Sequence, residues 1–149
     1  MNTDVEYMCL AIELAHRAKR AGEVPVGALV VSGNRVIGEG WNQPVATHDP
    51  TAHAEIVALR AAAQEQRNYR LDAATMYVTL EPCAMCIGAL ITARVVRVVF
   101  GAWDPKAGAC GSVFDLPRVP RLGAQIDVFG GVCSDECAEL LQEFFSARR

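Results

Sequence analysis

No stretch of this 149-residue chain is apolar for the roughly 20 residues that a membrane helix needs. Its opening Met1-Asn2-Thr3-Asp4-Val5-Glu6 carries acids where a secretory signal carries bases and an apolar run. A soluble, cytoplasmic protein with no membrane partner is therefore expected. Charge of one sign is also scarce: 14 Lys and Arg against 17 Asp and Glu leave a net charge of −3, which argues against a general nucleic-acid coat but allows a small local RNA footprint. Low-complexity tracts and repeats of solenoid or propeller period are missing, so no linker between domains is expected. The chain reads as one domain over residues 1–149, able to bury roughly 70% of its unfolded surface.

Histidine is rare, with three in the chain, and the six cysteines gain meaning from that. In an intracellular setting a Cys-x-x-Cys pair points to metal binding or redox work rather than to a disulfide framework. Cys83 and Cys86 are such a pair. Cys9, Cys110, Cys133 and Cys137 are read as free thiols, Cys9 and Cys110 as small buried side chains, and His16 and His48 as surface or loop residues.

Hydrophobic spacing supplies the frame. Thr3 and Glu6 stand at capping-box spacing before Tyr7, Leu10, Ala11, Leu14 and Ala18, which predicts a first helix to about Ala21 with Gly22 as its stop. Residues 26–31 and 36–41 flank a short turn and predict a hairpin. His53 and Glu55 fall in the first turns of a second helix, capped by Asp49 or Thr51 and ending before Asn68. A strand over 75–80 leads to Pro82, read as the first turn of a third helix that carries Cys83 and Cys86 on one face. A β-branched run over 95–100 follows, so the sheet begins antiparallel and continues parallel. Residues 101–111 form a turn-rich loop at a strand end, where α/β proteins bind ligands. A short last strand near Ile126–Phe129 and a closing helix capped by Ser134, with Leu140, Leu141, Phe144 and Phe145, complete the chain.

His53, Cys83 and Cys86 supply one imidazole and two thiolates, three of the four ligands of a tetrahedral Zn²⁺. Such a site is open: water at its fourth position is acidified from about 15.7 towards about 7. Glu55, two residues from His53, can carry protons beside the metal, and the set suits hydrolytic deamination. Two other readings stay open on the residues alone. Cys83 and Cys86 as a thioredoxin-like redox pair would leave His53 and Glu55 unused. A structural zinc site built from Cys83, Cys86, Cys133 and Cys137 would make a non-catalytic binding module.

His53-Ala54-Glu55 with Pro82-Cys83-Ala84-Met85-Cys86 resembles the signature of the zinc nucleobase deaminases. Glu23–Ala28, Asp49–Ile56, Thr79–Cys83 and Phe100–Ala102 narrow the resemblance to the bacterial tRNA-specific adenosine deaminases, over nearly the whole chain. The resemblance implies a three-layer α/β/α cytidine-deaminase-like fold with a mixed sheet of about five strands. It implies one Zn²⁺ per subunit, held by His53, Cys83 and Cys86, with Glu55 as proton shuttle. It implies a homodimer acting on the wobble adenosine of a tRNA anticodon stem-loop, arginine tRNA in particular. Substrate contacts are implied at Asn42, at a backbone group of Ala54, at Asp104 and Lys106 in the loop, and at Phe144, Phe145 and Arg149 on the closing helix. Phe144 and Phe145 also suit the core, and Trp103 departs from the usual pattern. A free-base or nucleoside deaminase, acting on guanine or cytosine, would use the same metal and the same acid.

Overall fold

The computed structural model describes residues 3–148. Helix α1 (Asp4–Arg20) opens with the expected capping box, Thr3 and Glu6 satisfying each other's backbone amides, and stops at Gly22, whose φ of +80° suits a residue without Cβ. Strands β1 (Gly27–Ser32) and β2 (Arg35–Trp41) form the hairpin. The short α2 (Pro44–Thr47) leads to α3 (Ala54–Gln66), followed by β3 (Thr75–Leu80), α4 (Ala84–Thr92), β4 (Arg97–Ala102), two 3-10 turns between residues 116 and 122, β5 (Asp127–Phe129) and α5 (Ser134–Ser146).

The five strands lie in the order β2-β1-β3-β4-β5, with β1 antiparallel to β2 and β3, and with β3, β4 and β5 mutually parallel. Alternation along each strand divides the core in two. Ala28, Val30, Met76, Val78, Val98 and Phe100 point to the α3 and α4 side, while Leu29, Val31, Tyr77 and Val99 point to the α1 and α5 side. This is the three-layer α/β/α arrangement expected. Among the described residues, no helix is long and apolar enough to cross a membrane.

Several boundaries differ from the sequence expectations. Residues 44–47 form a helical turn rather than an irregular run, with Pro44 at its start and Glu23 bonding its amides from a distance. Neither Asp49 nor Thr51 caps α3: Asp49 Oδ1 closes a local turn onto Thr51, and His53 is the N-cap, in extended conformation. Pro82 lies outside α4, because Cys83 is its N-cap and the Pro82 carbonyl bonds Ala109 N instead. β4 starts at Arg97 rather than at residue 95, since the left-handed Arg94 (φ +66°) and the Val95 N–H bond to Leu90 O still belong to the helix end. Cys133, also left-handed, takes the cap position expected of Ser134. Cys9 is exposed rather than buried, on the outer face of α1.

Candidate metal centre

The first turn of α3 lies almost flat on β2, and Gly40 is what permits it. A Cβ on Gly40 would stand 2.5 Å from Ala54 O and 2.6 Å from Ala58 N, so any side chain would lift the helix and carry His53 and Glu55 with it. Asn42, just beyond β2, reaches forward twelve residues and its Oδ1 accepts the Ala54 amide at 2.7 Å. A helix start that its own N-cap leaves uncapped is thus satisfied by a side chain from the neighbouring loop. On the other side, β3 ends at Leu80 and Cys83 and Cys86 take the N-cap and third position of α4. Two helix N-termini therefore converge, and their positive ends favour thiolate and carboxylate there.

His53 Nδ1 lies 3.6 Å from Cys83 Sγ and 3.6 Å from Cys86 Sγ, and all three donor atoms lie within 4.8 Å of one another. With Zn–N near 2.0 Å and Zn–S near 2.3 Å, the N···S edge of a tetrahedron is about 3.6 Å, so the spacing fits a single zinc ion. Electrostatics agree. The Cys83 thiol is pulled down to about 4, first by its bond with Cys86 and then by His53, while Cys86 is held up by Cys83 and by burial. Two such sulfurs ionise together only against a cation. His53 is raised, first by Cys83 and also by Glu55 and despite its partial burial. Cys133 and Cys137 are not part of this cluster among the described residues, and Cys137 packs under Gly101 in the α1 and α5 core, which removes the four-cysteine site.

Glu55 is 4% exposed. Burial pushes its carboxyl up to about 7, the Cys83 thiolate adds to that push, and its own backbone N–H, His53 and Cys86 oppose it. An acid poised near neutrality beside an S₂N cluster can both take and return a proton.

These features carry over to known proteins. Residues 1–102 match the cytidine and deoxycytidylate deaminase zinc-binding region. The chain belongs to that deaminase family. A tRNA-specific adenosine deaminase of Haemophilus influenzae is 49% identical over 98% of the chain and 85% of its own length. A solved structure from studies of A-to-I editing by tRNA:A34 deaminases at the wobble position of transfer RNA is 41% identical, with a TM-score of 0.88 over 91% of this chain and 98% of that one. A guanine deaminase from Nitrosomonas europaea is 27% identical, with a TM-score of 0.84 over 98% and 86%. In this deaminase the His53, Cys83 and Cys86 cluster is positioned for the zinc ion that the family's motif serves.

The remaining expected site residues divide. Asn42 and Ala54 sit together at the start of α3, with the Ala54 amide already bonded to Asn42. Asp104 and Lys106 line a groove of about 530 Å³ with Trp103, Pro105 and Phe145, floored by Leu80 and Leu141. Trp103 is half exposed and stands edge-on to Phe100 with centroids 4.7 Å apart. Phe145 is half exposed, whereas Phe144 is turned into the core and covered by the Arg148 guanidinium at 3.9 Å. The structure therefore does not bring Phe144 to the groove surface, because it lies about 100° round the helix from the exposed Phe145, on the buried side of α5. Arg149 lies outside the described residues.

Sequence reading missed two buried glutamates. Glu23 accepts Val45 N at 3.1 Å and Ala46 N at 2.8 Å, fixing α2 just after Asn42. Glu81 receives the Asp104, Cys110 and Ser112 amides and the Ser112 hydroxyl. The only signal for Glu81 was its place beside Pro82-Cys83; a lone acid in that position says nothing of four donors arriving from more than twenty residues away.

Proposed function

We propose that this chain is a zinc-dependent tRNA adenosine deaminase, converting adenosine to inosine at the wobble position of the anticodon stem-loop, with arginine tRNA the first substrate to test. The observation that carries the reading is the buried Glu55 beside the three-donor cluster, on a chain that aligns nearly end to end with tRNA-specific adenosine deaminases. His53 Nδ1, Cys83 Sγ and Cys86 Sγ would hold the zinc ion, which would supply the Lewis acidity that makes water a nucleophile near neutral pH.

The chain's own residues then do the rest. A base stacked in a loop is splayed out to reach the site. Asn42, fixed by the Ala54 amide through Oδ1, presents its amide nitrogen to the nucleotide. Glu55 accepts a proton from the water as the water's oxygen adds to C6, delivers it to N1 of the ring, and carries the second proton to the departing ammonia. One water is consumed and one ammonia leaves. The turn at Asp104–Lys106 and the exposed Phe145 meet the flanking nucleotides, and the aromatic faces suit unstacked bases. The whole of residues 1–149 acts as one domain. Two copies pair, with half-exposed Met85 and exposed Tyr69 beside α3 and α4 as the apolar surface available for it.

The structural likeness to a guanine deaminase favours one second reading, a free-base deaminase using the same metal and acid. Incubation of the zinc-loaded protein with transcribed arginine tRNA and, separately, with free guanine, cytosine and adenine decides between them. Inosine in the tRNA is the expected product; ammonia released from free bases alone overturns the RNA assignment. Sedimentation of the same preparation is expected to give a dimer.

A further inference from the structure

Glu81 is a buried acid that the chemistry above leaves unused, at 2% exposure and two residues before the first cysteine ligand. Its two oxygens gather donors from both ends of one loop. Oε1 accepts Asp104 N at 3.0 Å and the Ser112 hydroxyl; Oε2 accepts Cys110 N at 2.9 Å and Ser112 N at 3.1 Å. Gly108, at the middle of the loop, lies directly on the carboxylate, and a Cβ there would collide with it. The Ala109 amide bonds the Pro82 carbonyl at 2.8 Å, so the same turn that delivers Cys83 also holds the loop's far arm. Asp104 Oδ1 then folds back on the amides of Lys106 at 3.0 Å and Ala107 at 3.2 Å, setting the exposed tip.

We infer that Glu81 is a positioning residue: it clamps the 103–112 loop onto the turn carrying the cysteine ligands and so sets how that loop meets the substrate, without touching the reacting atoms. The inference rests on the reading of residues 103–106 as substrate-facing. A carboxylate is suited to this place because all four partners are donors, and only an acceptor-only group of two oxygens receives them all. A glutamine would turn an NH₂ towards backbone N–H groups and leave at least one buried amide unpaired. The loop carries no other buried charge, so Glu81 is the one ionic anchor that fixes its near arm and Ser112, while the Ala109–Pro82 bond and the buried Ala109 and Cys110 seat its far arm.

The test uses the zinc-loaded full chain and steady-state kinetics on a transcribed anticodon stem-loop. In Glu81→Gln, one zinc per subunit is retained, KM rises about tenfold and kcat stays within about threefold, the split expected when binding geometry and not the chemical step is lost. Ser112→Ala, which removes one of the four donors, raises KM by about twofold to threefold. Gly108→Ala pushes the loop off an intact carboxylate and reproduces the KM rise; it also carries the test where Glu81→Gln fails to fold. A second readout needs no substrate. In a Trp41→Phe background, Trp103 is the remaining tryptophan, and Glu81→Gln increases its quenching by acrylamide. Unchanged KM and unchanged quenching in a zinc-loaded Glu81→Gln or Gly108→Ala protein overturns the inference. Loss of zinc with KM unchanged also overturns it, by assigning Glu81 to the ligand turn alone. If the parent protein leaves the stem-loop unmodified, the substrate reading falls while the quenching result still decides whether Glu81 anchors the loop.

Discussion

Glu55 and Glu81 are both almost closed to solvent at neighbouring element ends, with Glu55 the more deeply enclosed, and their surroundings push them in opposite directions. Around Glu55 the partners are few and one of them is a thiolate, so burial dominates and the carboxyl is pushed up to about 7. Around Glu81 burial pushes the same way, but the Ser112 hydroxyl and the amides of Asp104, Ser112 and Cys110 more than offset it and hold the carboxyl below the usual glutamate value. Low solvent exposure alone therefore does not decide what a glutamate is for. An under-solvated carboxyl can exchange a proton near neutral pH; a fully satisfied one is a fixed anion that can only hold something in place.

The sharpest way to break the comparison is Glu55→Gln in the zinc-loaded protein. Zinc content is expected to stay the same while kcat falls by about 10²–10⁴, the usual worth of a proton carrier. Full turnover in that variant would remove Glu55 from the chemistry. Changing a donor instead, Cys86→Ala, is expected to empty the site and lower the melting temperature, since metal binding is part of the folding free energy. Metal analysis and calorimetry on the same sample separate the two variants.

Stability against pH sharpens the contrast further. A raised carboxyl favours the folded state while it is protonated and costs stability as pH climbs from the unfolded value of about 4.5 through about 7. A lowered carboxyl does the reverse: its contribution is present above about 4.5 and is lost as pH falls through the folded value. In chelated protein at pH 8, Glu55→Gln should therefore stabilise, by on the order of 1–3 kcal/mol, whereas Glu81→Gln should destabilise by about as much. Urea unfolding of both variants at pH 5 and pH 8 checks the signs: the gain from Glu55→Gln should shrink at pH 5, while the Glu81 loss persists. Equal effects of one sign would mean that the two pockets do not differ as described.

How much of this was legible in the sequence follows the same division. The S₂N donors and the acid beside them are local motifs, and the helices and strands that carry them announce themselves by period, so both the cluster and the mixed sheet could be read. The partners that fix the starts of α2 and α3 could not. Ala54 is bonded by Asn42 and α2 by Glu23 across intervals of twelve and more than twenty residues, and no spacing rule foretells such partners. Phe144 and Phe145 show the limit within one helix: adjacent aromatics read alike, and only the way α5 docks buries the first and leaves the second exposed. Glu81 was hidden because its neighbours in sequence are the metal motif, whereas its partners belong to a loop that begins at Asp104.

A third carboxylate sets the lower end of the scale. Asp4 meets Arg97 through two short bonds, of 2.9 and 2.6 Å, and accepts the Tyr77 hydroxyl at 2.6 Å, joining the start of α1 to β3 and β4. The Arg97 guanidinium holds its carboxyl below the usual aspartate value, against some burial and with help from Tyr77, whose own hydroxyl is pushed up to about 12 by burial and by Asp4. The geometry is better than that of Glu81's bonds, but about a third of each charged side chain is in water. Water and salt take back most of such a pair's Coulomb energy, so Asp4→Asn should cost about 1 kcal/mol, less than Glu81→Gln despite the stronger pairing. The stabilisation is present above pH about 4 and disappears as pH falls through Asp4's lowered value, and it weakens in 1 M salt, whereas the Glu81 cradle, closed to solvent, should not respond to salt. Urea unfolding of the two variants at low and high salt measures this directly; a salt-sensitive Glu81 or a salt-insensitive Asp4 would show that enclosure is not what separates them.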